Sequence, residues 1–182
     1  MKQEVLIKNI IDQIKEAQIK LGFAKETVRL YYPVTTLNAM LGTTAGDAKE
    51  MLEILKDDRF SMTDLGMLKF SSHKQRIEVS VPPEGAEYVH KNIKDPSFLM
   101  DLIELFRKNH HCTLAEIQKL FESHSSDYVC EKMPEGSDFD EVLYFNDPGI
   151  DAYYYCIKEE MGQTIYHRFT KEDMVELLKD ED

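Results

Sequence analysis

The sequence predicts an α+β fold, mostly helical, made of two winged-helix-like units that each carry a β-hairpin. Two observations lead there. Between 34 and 81 apolar residues at helical spacing give way to strict alternation, and a second such change follows between 95 and 169. The boundary this implies divides the chain into 1–94, an N-terminal helix plus the first unit, and 95–182, a second unit rich in acid.

In residues 3–21, Ile7, Ile10, Ile11, Ile14, Ala17 and Leu21 form one stripe, with Lys8, Asp12, Lys15, Glu16 and Lys20 mostly opposite and Gly22 after it. This is an amphipathic helix about 30 Å long at 1.5 Å per residue. Core packing explains the stripe; the length also suits a helix that bridges the two halves or pairs with its copy in a homodimer. Residues 24–33, AKETVRLYYP, can continue helically until Pro33 biases Tyr32 away from helix.

The first unit follows. Leu37, Met40 and Leu41 line a helix that Gly42 ends, since glycine readily takes the left-handed conformation. Thr44 and Asp47 fit a capping box ahead of Ala48, Met51, Leu52 and Leu55, one face of a second helix. Ile77, Val79 and Val81 then alternate with Glu78 and Ser80 as a half-buried strand, joined through Ser71–Gln75 to Leu68–Phe70. Pro82 and Pro83 end the strand, and PPEGAEYVHKNI suits a short helix carrying Ala86, Tyr88, Val89 and Ile93.

Asp95-Pro96 places a capping residue before a proline at the first helical position, ahead of the stripe Phe98, Leu99, Leu102, Leu105 and Phe106. Thr113 and Glu116 cap a helix with Leu114, Ile117, Leu120 and Phe121, and a third short helix is expected over Ser126–Met133. Laying Thr36 on Thr113 brings Leu37, Met40, Met51 and Leu52 onto Leu114, Ile117, Tyr128 and Val129, but Leu41 onto Gln118, which leaves an internal duplication open. Val142–Phe145 reads as a strand before the turn Asn146–Gly149. Tyr153–Ile157 and Thr164–Phe169 form a hairpin around Glu159–Gln163, and Thr170 with Asp173 caps a last helix before a frayed KDED end.

The net charge of −12 over 182 residues is unevenly placed: residues 1–91 hold 13 basic and 13 acidic groups, residues 92–182 hold 9 and 21. Such a field repels phosphate backbones and anionic lipid and favours a basic protein partner. Cys112, Cys130 and Cys156 are an odd number, and MKQEVLIKNI has charges where a secretory signal needs an apolar core, so reduced thiols and a cytoplasmic location are expected. No apolar run approaches the roughly 18 residues of a membrane span.

Winged helices are best known for DNA binding, and the wing offers Lys69, His73, Lys74 and Arg76 without an acid. The helix that would enter the groove opposes this: Asp47, Glu50, Glu53, Asp57 and Asp58 stand against Lys49 and Lys56. His110, His111, Cys112, His124 and Cys130 have the residue types of a zinc site without its paired spacings, and no metal or other cofactor is expected. The carboxylates Asp138, Asp140, Glu141, Asp147 and Asp151 lack the periodicity of a calcium loop.

Phosphate-cradling glycine loops and nucleophile motifs are absent from the sequence, so catalysis is not favoured. The best lone candidate for an enzyme site is His167, with Tyr155 or Cys156 across the hairpin. The same hairpin suits protein contact better, because Tyr153, Tyr154, Tyr155 and Tyr166, with His167 and Arg168, would present large area at small entropic cost.

At VPPEGAEYVH (Val81–His90), DFDEVLYF (Asp138–Phe145) and YYYCIKEE…IYHRFTKEDM (Tyr153–Met174) the chain resembles an uncharacterised bacterial domain-of-unknown-function family of about this length. The resemblance implies a bacterial cytosolic origin and a compact fold, and carries no catalytic residue or substrate. The function expected from the residues is therefore a non-catalytic protein-interaction or regulatory module, with a DNA-binding regulator as the alternative and an enzyme centred near His167 as a further one.

Overall fold

The computed structural model describes residues 3–56, 60 and 63–178. Among them the fold is α+β, with seven helices and two antiparallel sheets, and the chain divides into two compact units, Met1–Asp95 and Pro96–Asp182. Asp57 and Asp58 of the expected acidic helix end, and the KDED terminus, lie outside the described residues.

In the first unit, α1 (Gln3–Leu21) buries Leu6, Ile10 and Ile14 against α2 (Val34–Leu41) and α4 (Pro83–Asn92). Residues 28–33 are not helical: Val28–Pro33 is strand β1, paired antiparallel with β3 (Arg76–Val81) from Val28↔Val81 to Pro33↔Arg76. The correction has a local cause. Val28, Leu30 and Tyr32 alternate with Arg29 and Tyr31, a period of 2, and β-branched and aromatic side chains suit a pleated half-buried surface.

Gly42 closes α2 at φ 68, its N–H bonded to the Asn38 carbonyl. The cap of α3 (Ala48–Leu55) is Asp47 and not Thr44: Asp47 accepts from the Glu50 N–H at 2.9 Å while Glu50 reaches back to the Gly46 N–H at 2.7 Å. The loop before it is held instead by Asn38, whose side-chain oxygen accepts from Thr43 Oγ1 at 2.9 Å and from the Ala45 N–H at 2.8 Å. Strand β2 (Lys69–His73) pairs with β3 across a tight Lys74-Gln75 turn, shorter than the expected Ser71–Gln75 connection, and the sheet order is β1-β3-β2. Its inner face, Ile77, Val79 and Val81, meets the helices around Leu37, Met40 and Met51.

In the second unit, α5 (Ser97–Lys108) starts after Pro96 without a side-chain cap, because Asp95 turns instead to Lys15 at 2.8 Å. The capping box of α6 (Leu114–His124) forms as expected between Thr113 and Glu116. The third helix expected over 126–133 is strand β4 (Tyr128–Lys132), paired with β5 (Glu141–Phe145) from Tyr128↔Phe145 onward. Tyr128, Val129 and Cys130 are β-prone, and Asp127 is folded into a turn through Ser125 Oγ. The internal alignment therefore lays helical Met51 and Leu52 on strand residues and does not hold past α6.

Strands β6 (Tyr154–Glu160) and β7 (Gln163–Phe169) complete a meander in the order β4-β5-β6-β7, before α7 (Lys171–Leu177). Met161 and Gly162 both have positive φ, 52° and 74°, the mirror-type turn whose twist matches a two-residue hairpin. One sheet face packs Phe145 and Tyr155 against Phe98 and Phe121 of α5 and α6. The other packs Val142 and Cys156 against Met133 and Met174. No helix among the described residues is long and apolar enough to cross a membrane.

Candidate functional site

The period-2 geometry of β6 and β7 divides the six hairpin candidates between the two sheet faces. Tyr155 lies on the α5/α6 face, fully buried, and its hydroxyl donates to Asp151 Oδ2 at 2.9 Å. Asp151 is itself only 7% exposed and also accepts from the Tyr153 N–H at 2.9 Å. Burial, then the Asp151 charge, push the Tyr155 phenol well above its ordinary pKa. Arg168 stands across from Tyr155, with its guanidinium 3.6 Å from the centre of the Tyr153 ring. Tyr166, on the same face, packs its ring on Phe106.

Tyr154 and His167 occupy the α7 face. Tyr154 lies 4.4 Å, ring to ring, from Tyr144, a half-buried partner that sequence reasoning passed over, and His167 is exposed beside Phe139. Cys156 is opposite His167 in register, but its sulfur faces Met174 Sδ at 3.4 Å, while Tyr155 points to the other side. The register thus sets Cys156, and not Tyr155, on the same face as His167. The hairpin offers Tyr144 with Tyr154, and Tyr153 under Arg168, as two separate half-exposed aromatic patches.

Three of the residues with zinc-ligand chemistry, His111, His124 and Cys130, have other partners. His111 Nδ1 contacts the Gly162 carbonyl, His124 Nε2 meets Asp101 Oδ2 at 2.9 Å, and Gln118 Nε2 approaches Cys130 Sγ at 3.3 Å. Burial raises the Cys112 and Cys130 thiols above the ordinary range and lowers their nucleophilicity at neutral pH.

In the first unit Lys69, His73, Lys74 and Arg76 are all exposed at the β2–β3 hairpin. On α3 the exposed groups are mixed: Asp47 and Glu50 serve the cap, Glu53 pairs with Lys56 at 2.5 Å, and Lys49 projects to solvent.

A third surface was not singled out by sequence. Ile7 and Ile11, one turn apart on α1, form with Ile93 and Met67 the floor of an open groove of about 1060 Å³. Met67 is 64% exposed, and the charged groups at the groove are Glu4, Asp12 and Asp64 against Lys8. The i, i+4 spacing of Ile7 and Ile11 predicts core residues; the structure leaves them half-buried at the margin of the stripe. Met67 and Ile93 come from segments whose convergence on α1 no local pattern reveals.

These features define an α+β protein of two sheet-containing units that bears an apolar groove and a basic hairpin on the first. A family model described as a domain of unknown function, E. rectale gene description (DUF3877), matches residues 3–178, and the chain belongs to that family. This is an uncharacterised bacterial family of the kind the sequence resembles. No curated protein and no solved structure matches the chain.

Proposed function

We propose that the protein is a non-catalytic protein-interaction module whose first unit is winged-helix-like. The element order α1-β1-α2-α3-β2-β3, with β3 between β1 and β2, supports the winged-helix reading of that unit. The observation that carries the function is the groove on α1. An exposed apolar surface of this kind, with three acids and one lysine around it, fits the apolar face of an amphipathic helix whose flanks are basic. The acidic second unit steers the same kind of partner, since the whole surplus of negative charge lies there.

The test uses two synthetic amphipathic peptides, one of leucine and lysine and one of leucine and glutamate, in fluorescence anisotropy. The basic peptide binds at micromolar concentration, the acidic one does not, and replacing Ile11 and Met67 by Ser weakens binding at least tenfold without changing any charge. Binding unaffected by those substitutions contradicts the reading. Dimerisation of the free protein abolished by them makes a second copy the occupant and contradicts it also.

A further inference from the structure

We propose that the solvent face of the three-stranded sheet in the first unit binds a single-stranded nucleic acid, its phosphates held by Arg29, Lys69, Lys74 and Arg76 and its bases stacked on Tyr31 and His73. The strand registers assemble this surface. Arg29, Ser80 and Lys69 lie side by side, then Tyr31, Glu78 and Ser71, then Pro33, Arg76 and His73. Residues directly opposite in an antiparallel sheet share a face, and it is the face turned away from buried Ile77, Val79 and Val81. Lys74 extends the row of cations at the turn.

Charge and aromatic surface coincide there. The acid on these three rows is Glu78, which is engaged by Arg29 at 3.6 Å, by Ser80 Oγ at 3.0 Å and by the Tyr31 phenol. Lys69, Lys74 and Arg76 form no ion pair with any described residue. Tyr31, 43% exposed, and exposed His73 reach across β3 until their ring centres are 5.3 Å apart. With Lys74, Gln75 and Arg76 they line an open groove of about 820 Å³. Cations that track a phosphate backbone beside rings that accept any base are the two parts of a single-strand surface.

A single strand fits better than a duplex. The face of a duplex hides its bases from Tyr31 and His73, and the acids on α3 oppose entry of that helix into a major groove. The net charge of the whole chain does not decide the matter, because residues 1–91 are balanced at 13 basic and 13 acidic groups and these four cations share one face. This site is distinct from the groove on α1.

The test is fluorescence anisotropy of the full chain with a 20-nucleotide oligouridylate, the matching oligothymidylate and a mixed-sequence DNA duplex, titrated with salt. Both single strands bind with a log–log salt slope of about −2 to −3, the value for roughly four phosphates on a single strand. The duplex binds at least tenfold more weakly. Tyr31→Ala weakens single-strand binding about 5-fold to 100-fold, as loss of one stacked base does. Lys69→Gln with Arg76→Gln reduces the slope by about 1.4, and thermal unfolding monitors the fold of each variant. Absence of binding at low salt overturns the proposal, as does a duplex bound as tightly as the single strands or binding indifferent to both sets of substitutions. Should Tyr31→Ala unfold the protein, the double charge variant alone decides: an unchanged affinity and slope overturn the proposal.

Discussion

Lys15, in the middle of α1, and Asp95, at the end of the first unit, meet at 2.8 Å with their side chains 4% and 47% exposed. The pair ties the long helix to the segment that follows α4, and it supplies the ammonium with a partner where water is scarce. Removing the carboxylate strands a buried cation. Asp95→Ala is expected to cost about 1–3 kcal/mol, at the lower end because Asp95 remains half in water. Urea unfolding measures this, and Lys15→Met should make the further loss of Asp95 nearly neutral; additive costs would show that the two residues act independently.

Gly85 in α4 allows a close approach of backbone to backbone. A Cβ placed there would lie 2.4 Å from the Leu65 carbonyl oxygen and 2.6 Å from Val81 Cγ1. Neither atom can yield as the end of a flexible side chain could. Gly85→Ala should therefore destabilise the first unit by about 1–3 kcal/mol despite the better helix propensity of alanine. A higher thermal midpoint for the variant would contradict the packing described.

Tyr155 tests the buried polar contact in the second unit. Tyr155→Phe keeps the ring among Phe98, Phe121 and Tyr166 but takes from Asp151 the hydroxyl that donates at 2.9 Å. The expected loss is about 1–3 kcal/mol with near-ultraviolet circular dichroism preserved. Equal stability of variant and parent would mean that the hydroxyl contributes nothing to the fold.

Glu87 gives a pH dependence with a definite sign. It accepts from Lys25 Nζ and Lys91 Nζ, both at 2.6 Å, and these bonds lower its pKa from 4.5 to about 2. A carboxylate whose folded pKa lies below its unfolded one stabilises the fold above the unfolded value and ceases to do so as pH falls through the folded value. Its contribution is thus complete above pH 4.5 and lost between there and about pH 2. Both lysine partners are exposed and solvent screens the pairs, so the amplitude is small, and the sharpest readout is the carboxyl resonance of Glu87 followed by NMR. Titration near 4.5 would show that the two lysines do not hold it in solution.

Local periodicity revealed most elements and failed where two periods compete over a few residues. The α1 helix, the Gly42 stop, the Thr113 box and the β3 alternation all form as expected, since each is decided within one or two turns of chain, but the buried stripe of α1 takes in Leu6 and leaves Ala17 and Leu21 exposed. The apolar residues of Val28–Pro33 and Tyr128–Lys132 also fit a helical face; pairing with β3 and β5, distant in sequence, makes them strands. The tyrosine hairpin was legible as a hairpin, but the burial of Tyr155 depends on which face α5 and α6 cover. The groove on α1 was not legible, because Met67 and Ile93 reach it only through the tertiary fold.

The measurement that tests the central claim most directly is a methyl NMR titration of the protein, labelled at isoleucine and methionine, with the basic amphipathic peptide. The methyl groups of Ile7, Ile11, Met67 and Ile93 should shift together and saturate at one affinity, while Met133 and Met174 in the second unit stay in place. Unmoved groove methyls beneath a bound peptide would contradict the assignment of the groove as the partner site.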